Sequence, residues 1–346
     1  MPRISVLIPS YNHAAFVGKA IESVLTPSRD VELVVADDAS TDSSLAVIGK
    51  YSGDSRLKIV ALSKNAGMSA ALNAAFAAST GEYIAVLGSD DFLLPGTIEK
   101  QSMFLDGHPR NAAVFGLPRY INEAGEPITP PVDEFANPFV GRQGSRAEWL
   151  RQFFLGGNCL CHPTVMLRRS VHETVGLYDP RLLNLGDMDV WVRMAVADLS
   201  FFILPTELTA RRVRDNQKNL SAPTAATRLR DAFETVQVLK SYRHLSAADL
   251  YEAFEGEVQF TGIARGLTAG RVLAEIASRC GRKQLRYFAL DTLYEELGRV
   301  GSEDFPALFR LAGRLDPFGI VGHPPEHPPL ELKAPSRLAA SKPRAR

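Results

Sequence analysis

The amino-acid sequence predicts an α/β fold, a Rossmann-like, mostly parallel sheet flanked by helices, with a C-terminal helical extension. Three observations carry this reading. In the N-terminal third, short β-branched runs alternate with Ala-rich helical patterns, the rhythm of a parallel sheet covered on both faces. After Ala112–Phe115 that alternation breaks, and a second block of mixed runs follows. Beyond Pro223 the pattern becomes amphipathic and helical through about Leu315.

The elements follow in order. Ile4–Ile8, Val31–Ala36, Leu57–Leu62 and Tyr83–Leu87 read as strands, because each is a short apolar or β-branched run bounded by turn residues. Ala14–Leu25, Ser43–Tyr51, Ser69–Ser79 and Gly96–Leu105 read as the helices between them. Gly125–Gln143, rich in Pro, Gly and acidic residues, suits a long surface loop or lid. Trp149–Phe154, His162–Leu167, Asp187–Ala197, Phe201–Leu204 and Leu208–Val213 form the second block, and Arg228–Leu239 and Ala247–Phe254 begin the helical part. The Pro-rich stretch from Gly322, with no acidic residue after Glu331, reads as a disordered tail.

A chain of 346 residues with 45% hydrophobic and 23% charged content buries a substantial core. Its formal net charge is zero, so composition gives no pull toward nucleic acid, and no nucleic-acid partner is expected. Cys159, Cys161 and Cys280 supply no disulfide framework, and the Cys-x-Cys pair lacks the second ligand pair of a structural zinc site. Reduced thiols in a cytoplasmic protein are expected. The first apolar run ends at Pro9, too short for a signal peptide or a span. Any membrane association is therefore expected to be peripheral, at the inner face, or through a partner.

In open α/β sheets, ligands bind outside the carboxyl ends of the strands. That directs attention to Pro9–Asn12, Asp37–Asp42, Ser63–Gly67 and Gly88–Asp91. Pro9 and Tyr11 offer a rigid turn and a ring on which a base can stack, while a Pro-terminated strand with Asn12 as a helix cap explains the same residues. Asp37 and Asp38 offer carboxylates to a base or ribose, and an Asx turn with Ser40, Thr41 or Asp42 as cap accounts for part of the segment. Asp90 and Asp91 offer oxygen ligands to Mg²⁺ or Mn²⁺, which typically use one or two carboxylates together with substrate phosphates. A cap on the next helix explains at most one of these two.

These segments together resemble inverting family-2 glycosyltransferases of the A-type fold. The similarity lies in Ser5-Val6-Leu7-Ile8-Pro9-Ser10-Tyr11-Asn12, Val35-Ala36-Asp37-Asp38-Ala39-Ser40-Thr41-Asp42, Asn65-Ala66-Gly67 with Ala71-Leu72-Asn73, and Gly81-Glu82-Tyr83-Ile84 leading to Ser89-Asp90-Asp91. The resemblance implies that Pro9 and Tyr11 flank the base, that Asp38 binds it, that Asn65 belongs to the donor site, and that Asp90 is the metal-binding aspartate of an Asp-x-Asp motif. It implies a nucleoside-diphosphate sugar as donor, UDP-linked in expectation, a glycan or glycolipid acceptor, and Mn²⁺ or Mg²⁺ as cofactor. One departure stands out: Gly88 takes the place of the motif's first aspartate, with Ser89 or Asp91 as substitutes.

An inverting transfer needs a carboxylate to accept the acceptor hydroxyl's proton while the diphosphate is stabilised. The segment Gly186-Asp187-Met188-Asp189-Val190-Trp191-Val192-Arg193 is similar to the family's Glu-Asp-x-Asp-Leu-Trp-x-Arg motif. The resemblance makes Asp187 the base, with Asp189 as runner-up, and leaves Gly186 in place of the glutamate. From the residues alone, a helix N-cap is the better account of Asp187. Asn158–Ser170 and Gly176–Asp179 also look family-like and are expected to build the acceptor wall, with His162 as acceptor contact or structural histidine. In Arg211–Lys218, strand alternation puts Arg212 and Arg214 on one face, where they suit a diphosphate; a solvated charge run is the plainer reading.

The expected organisation is a glycosyltransferase domain over 1–215, with a donor half over about 1–110 and an acceptor half over about 111–215. A helical extension over 216–321 and a tail over 322–346 follow. The extension suits contact with acceptor, membrane surface or a second copy of the chain. A nucleotidyltransferase is disfavoured because the first strand ends in Pro-Ser-Tyr-Asn rather than a Gly-rich loop with a basic residue. A catalytically silent nucleotide-sugar-binding protein stays as the alternative, on the strength of Gly88 and Gly186.

Overall fold

In the computed structural model, residues 3–27, 30–129, 139–215, 219, 222, 224–255 and 268–298 are described. Eight strands form one sheet: β1 (Ile4–Ser10), β2 (Val31–Asp37), β3 (Leu57–Ala61), β4 (Tyr83–Val86), β5 (Phe92–Leu93), β6 (Asn111–Ile121), β7 (Met166–Arg168) and β8 (Ser200–Arg212). Their order is β3-β2-β1-β4-β7-β6-β8-β5. The pairs β3–β2, β2–β1, β1–β4 and β6–β8 are parallel, whereas β7 runs antiparallel to β4 and β6, and β5 antiparallel to β8. The sheet is thus parallel in its N-terminal half and mixed beyond β4.

Why the first half reads so clearly follows from burial. Strands β2 and β4 are buried along their whole length and β1 nearly so, which is why their sequences are continuous apolar runs rather than alternations. Strand β3 lies at the edge, half exposed, and carries Lys58 there, a charge that discourages edge pairing. Helix α1 (Val17–Leu25) buries Val17, Ala20, Ile21, Val24 and Leu25, and its side of the sheet presents Val6, Ile8, Leu33 and Val35. Helix α3 (Met68–Ala78) buries Ala71, Leu72 and Ala75, and it packs on β1 and β2. Helices α2 (Ser44–Gly49) and α4 (Thr97–Gly107) complete this half. Burying each Val, Leu or Ile contributes roughly 1.5–3 kcal/mol.

The second half is held by aromatic packing. Helix α5 (Arg146–Arg151) starts with a capping box between Ser145 and Glu148 and runs into a π-helical turn over Gln152–Gly156. Trp149 on α5 lies 4.5 Å from Phe201, centroid to centroid, and Trp191 on α7 (Gly186–Val196) lies 4.9 Å from Phe115. Helix α6 (Ser170–Val175) precedes α7, and α8 (Ala225–Leu239) and α9 (Ala247–Phe254) follow β8.

The helical extension differs from the sequence expectation. The first compact unit extends to Phe254, past the expected boundary at Asp215, so α8 and α9 belong with the sheet. The bonds responsible are specific: Tyr242 Oη donates to the Leu150 carbonyl at 2.6 Å, Arg146 pairs with Asp249, and Glu234 accepts amides of residues 183–185. The second unit, Glu255–Arg346, contains α10 (Ala269–Arg279) and α11 (Lys283–Leu297), joined by a short turn and by a Thr268–Glu296 hydrogen bond. The expected tail over 322–346 lies outside the described residues, as does the centre of the Gly125–Gln143 loop. No helix among the described residues is long and apolar enough to cross a membrane.

Candidate active site

The loops at the carboxyl ends of β1, β2, β3 and β4 are tied to one another. Asn12, in the left-handed region at φ 53°, accepts the amides of Thr41 and Asp42 on its side-chain oxygen, and its own amide donates to Ser40 Oγ at 3.0 Å. This staples the β1 loop to the β2 loop. Asp37 accepts the Ser40 amide and hydroxyl, the expected Asx turn. Asp38 is buried, and its two oxygens accept the amides of Ala66 at 2.7 Å and Gly67 at 2.8 Å. It therefore fixes the β3 loop beside Asn65, which is exposed. Pro9 is half-buried and Tyr11 is 42% exposed at the mouth. Next to them, the buried Ser10 hydroxyl has no hydrogen-bond partner among the described residues.

The Gly88–Asp91 turn explains its own departure from the motif. A Cβ on Gly88 would stand 2.7 Å from Asp91 Oδ2 and 3.3 Å from Asp90 Oδ1. The space of the missing side chain is thus filled by the Asp91 carboxylate, and both carboxylates converge on it. Burial and the neighbouring Asp90 push the Asp91 carboxyl up to about 8. Asp91 Oδ1 accepts the Arg212 amide at 2.7 Å, while the half-buried Asp90 carboxylate has no hydrogen bond or ion pair among the described residues. No group of three or more His, Cys, Asp or Glu that could hold a metal occurs among the described residues. A cation here would draw on Asp90 and Asp91 and need further oxygens from a ligand, which is the donor set Mg²⁺ and Mn²⁺ accept beside a diphosphate.

Arg212 departs from expectation. It shares a face with Arg214, both lying over the Phe16 ring at 4.6 and 5.1 Å. Yet Arg212 is buried, and its guanidinium donates to the carbonyls of Asp90, Asn122 and Glu123. The side chain braces the Asp90 turn against β8 instead of facing a diphosphate. Arg214 donates to His13 Nε2 at 2.9 Å, and His13 Nδ1 meets Ser89 Oγ at 2.7 Å. Since arginine only donates, Nε2 must be the acceptor and Nδ1 the protonated nitrogen. Burial lowers the His13 pKa, with Arg214 adding to the effect against the pull of Asp90 and Asp42. Sequence reasoning passed over His13, although it lies two residues past Tyr11 in a loop already marked for ligand contact.

On the acceptor side, the helix begins two residues earlier than an Asp187 cap would place it, so Asp187 is its second residue and Leu185 the cap. Asp187 is half-buried; Oδ2 accepts from Asn158 Nδ2 at 2.9 Å and Oδ1 from the Met188 amide at 2.7 Å. Burial pushes its pKa up to about 6, against the hydrogen bonds and the Arg211 charge, which pull it down. Arg211 exerts the same downward pull on Asp91, so this arginine acts on both carboxylates. Asp189 is paired with Arg193, whose guanidinium also holds the carbonyls of Val175, Gly176 and Leu177. That engagement makes Asp189 structural. His162 bonds the Tyr178 hydroxyl at 2.9 Å and is driven by burial to about 4.

Gly186 has a packing reason. A Cβ there would stand 2.7 Å from Ser69 Oγ, which itself donates to the Leu182 carbonyl. The amino ends of α3 and α7 therefore meet so closely that a side chain at Gly186 would have to displace the Ser69 hydroxyl from the Leu182 carbonyl. Gly186→Ala is expected to destabilise the chain by about 1–3 kcal/mol in urea unfolding, and Ser69→Gly in the same chain to recover most of it. Equal loss in both variants would show that the contact is not the cause. Helix α3 also accepts and donates through Asn73 to the Tyr178 backbone, so it links the Asp38 loop to the Asp187 turn.

The comparisons agree with this architecture. A Bacillus subtilis protein named as a teichuronic acid biosynthesis glycosyltransferase, TuaG, is 36% identical over 195 residues, 56% of this chain and 72% of its own length. The chain spans 66% of the length of the Bacillus subtilis protein EpsE, named as a glycosyltransferase and 32% identical over 203 residues, and 19% of the length of a Pasteurella multocida chondroitin synthase. Among solved structures, S. aureus TarS 1–349 in complex with UDP-GlcNAc has a similar fold, with TM-score 0.56 and 17% identity, covering 86% of this chain and 91% of that one. The mannosyltransferase PcManGT from Pyrobaculum calidifontis, in complex with GDP-Man and Mn²⁺, gives TM-score 0.52 and 16% identity over 90% of this chain and 80% of that one. Residues 5–176 match the model of glycosyl transferase family 2, the region that carries the four strand-end loops. With that match and the TuaG similarity, the chain belongs to glycosyl transferase family 2.

Proposed function

We propose that the chain is an inverting glycosyltransferase. It moves a sugar from a nucleoside-diphosphate donor, UDP-linked in the first instance, to a hydroxyl of a glycan or glycolipid by single displacement. The observation that carries this reading is Asp187: a half-buried carboxylate with its pKa pushed to about 6, oriented by Asn158 at the start of a helix anchored by Trp191. A base poised near the working pH is what proton removal from a hydroxyl requires. Asp187 accepts that proton as the acceptor oxygen bonds to the anomeric carbon, and the nucleoside diphosphate leaves from the opposite face.

On the donor side, Tyr11 offers its exposed ring to the base, while Pro9 and Asn65 border the same mouth. Asp38 holds the β3 loop through two amides and keeps lone pairs for a base N–H. Asp90, with Asp91 beside it, would hold Mn²⁺ or Mg²⁺, which neutralises charge on the diphosphate when bound. Arg214, oriented by His13, supplies a cation on that side, and Arg212 keeps the turn in place. The nucleotide sugars bound by the two structural neighbours support the donor class.

The test is a thermal-shift screen of UDP-, GDP- and dTDP-sugars with Mn²⁺, Mg²⁺ or chelator. A donor at about 100 times its Kd adds roughly 2.7 kcal/mol of stability, a shift of several degrees that chelator should remove. Release of the nucleoside diphosphate must then depend on added acceptor. No shift with any sugar nucleotide would sink the donor assignment, and a shift without turnover would favour a silent binder.

A further inference from the structure

The turn that delivers Asp187 is held from a helix outside the region matched to the family, residues 5–176. Glu234 on α8 is 2% exposed, and its carboxylate accepts three successive backbone amides: Leu183 at 2.9 Å on one oxygen, Asn184 at 2.9 Å and Leu185 at 2.8 Å on the other. Around it, Asn184 Nδ2 donates to Asp231 at 2.8 Å, and Arg230 donates to Asn184 Oδ1. Leu185 caps α7 and its carbonyl accepts the Asp189 amide, so the direction of the first helical turn is set where Glu234 grips it. Asp187 is the second residue of that turn. A carboxylate facing the amino end of a helix is also favoured by the helix dipole, so the arrangement is self-consistent as well as fully bonded.

We propose that Glu234 is a positioning residue for the reaction, fixing through the Leu183–Leu185 amides where the Asp187 carboxylate stands. The inference rests on Asp187 being the base. Burying a carboxylate on three amides is costly unless each bond is kept, and all three bonds serve a turn of loop that makes no strand. Asn158 sets the carboxylate's rotation from one side, and Glu234 sets the backbone from the other. A displacement of about 1 Å in a catalytic group costs on the order of 100-fold in rate, so a turn free to relax would lose turnover without touching the donor loops.

The experiment uses the full chain with Glu234→Gln, which keeps the shape but offers one acceptor oxygen and sets an NH₂ against the remaining amides. UDP with Mn²⁺ is the binding probe, and turnover is UDP release from UDP-GlcNAc with acceptor, expressed per UDP-binding site so that unfolded chain does not count. Expected are a kcat lowered about 10- to 100-fold, unchanged UDP affinity and donor KM, and faster hydrogen exchange at residues 183–187 alone. In an Asp187→Asn background the same substitution should cost nothing further, because a group acting through Asp187 has no effect once the base is gone. Wild-type kcat, or an equal loss in both backgrounds, would overturn the proposal. Should Glu234→Gln fail to fold, Glu234→Asp, which keeps the charge on a shorter stem, carries the same comparison with an intermediate loss expected. If Asp187→Asn itself turned over normally, the base assignment would fail instead, and the two failures are thus distinct.

Discussion

Asp187→Asn is expected to lower sugar transfer by about 10²–10⁴-fold, the usual worth of a positioned general base, while leaving nucleotide binding intact. Asparagine keeps an oxygen that accepts the Met188 amide, as Oδ1 does now, so α7 should start where it does in the wild type. The pH dependence gives an independent check. Asp187 accepts a proton only when ionised, and burial places its pKa at about 6. Turnover at saturating substrate should therefore be level above that value and fall tenfold per unit below it. The base assignment predicts that this acidic limb belongs to Asp187, so Asn158→Ala, which removes a hydrogen bond favouring the charged form, should move the limb upward. An acidic limb that persists unchanged in the residual activity of Asp187→Asn would point to another group.

The second large effect concerns Asp90. Its carboxylate is half-buried yet makes no hydrogen bond or ion pair among the described residues, so removing it should cost little stability. Asp90→Ala is expected to abolish the cation-dependent part of donor binding and to reduce turnover by about 10²–10³-fold, as for loss of one group that stabilises developing charge. Titration of UDP with and without chelator measures this directly. Affinity in the variant equal to wild type under both conditions would remove Asp90 from the metal site. Asp91→Ala should behave differently, because Asp91 also holds the Arg212 amide: a loss of stability should accompany any loss of binding.

How much of this was legible in the sequence depends on the range of the forces involved. Strands β1, β2 and β4 were readable because each is defined by its own burial, and buried parallel strands are apolar throughout, while the half-exposed edge strand β3 was readable as a short run with β-branched residues bounded by turns. Strand β5 has two residues and no pattern to detect. Strand β8 was read as two runs on either side of Pro205; in the fold it is continuous, and the register with β6 shifts between Phe115 and Leu117 as β8 passes Pro205, a bulge being where a sheet tolerates proline. Helix α1 begins three residues later than the pattern suggested, since His13 accepts the amides of Phe16 and Val17 in a separate turn.

Site residues divide in the same way. Asp38, Asp90 and Asp187, which the family resemblance singles out, lie in local segments whose order along the chain is informative. Arg212 was misjudged because strand alternation gives a face and not what that face meets. Glu234 had no local signal at all: on an amphipathic helix it looks like one more solvated carboxylate, and only the fold brings it to residues 183–185.

The turn at Gly88 bears on how such a site can change over evolutionary time. Because the Asp91 oxygen fills the volume a Gly88 side chain would need, a side chain introduced at position 88 would have to displace the Asp91 carboxylate from it. A change at one of these positions therefore asks for an adjustment at the other. Pattern searches for Asp-x-Asp would overlook chains of this kind, whereas a search for a carboxylate occupying that volume would find them.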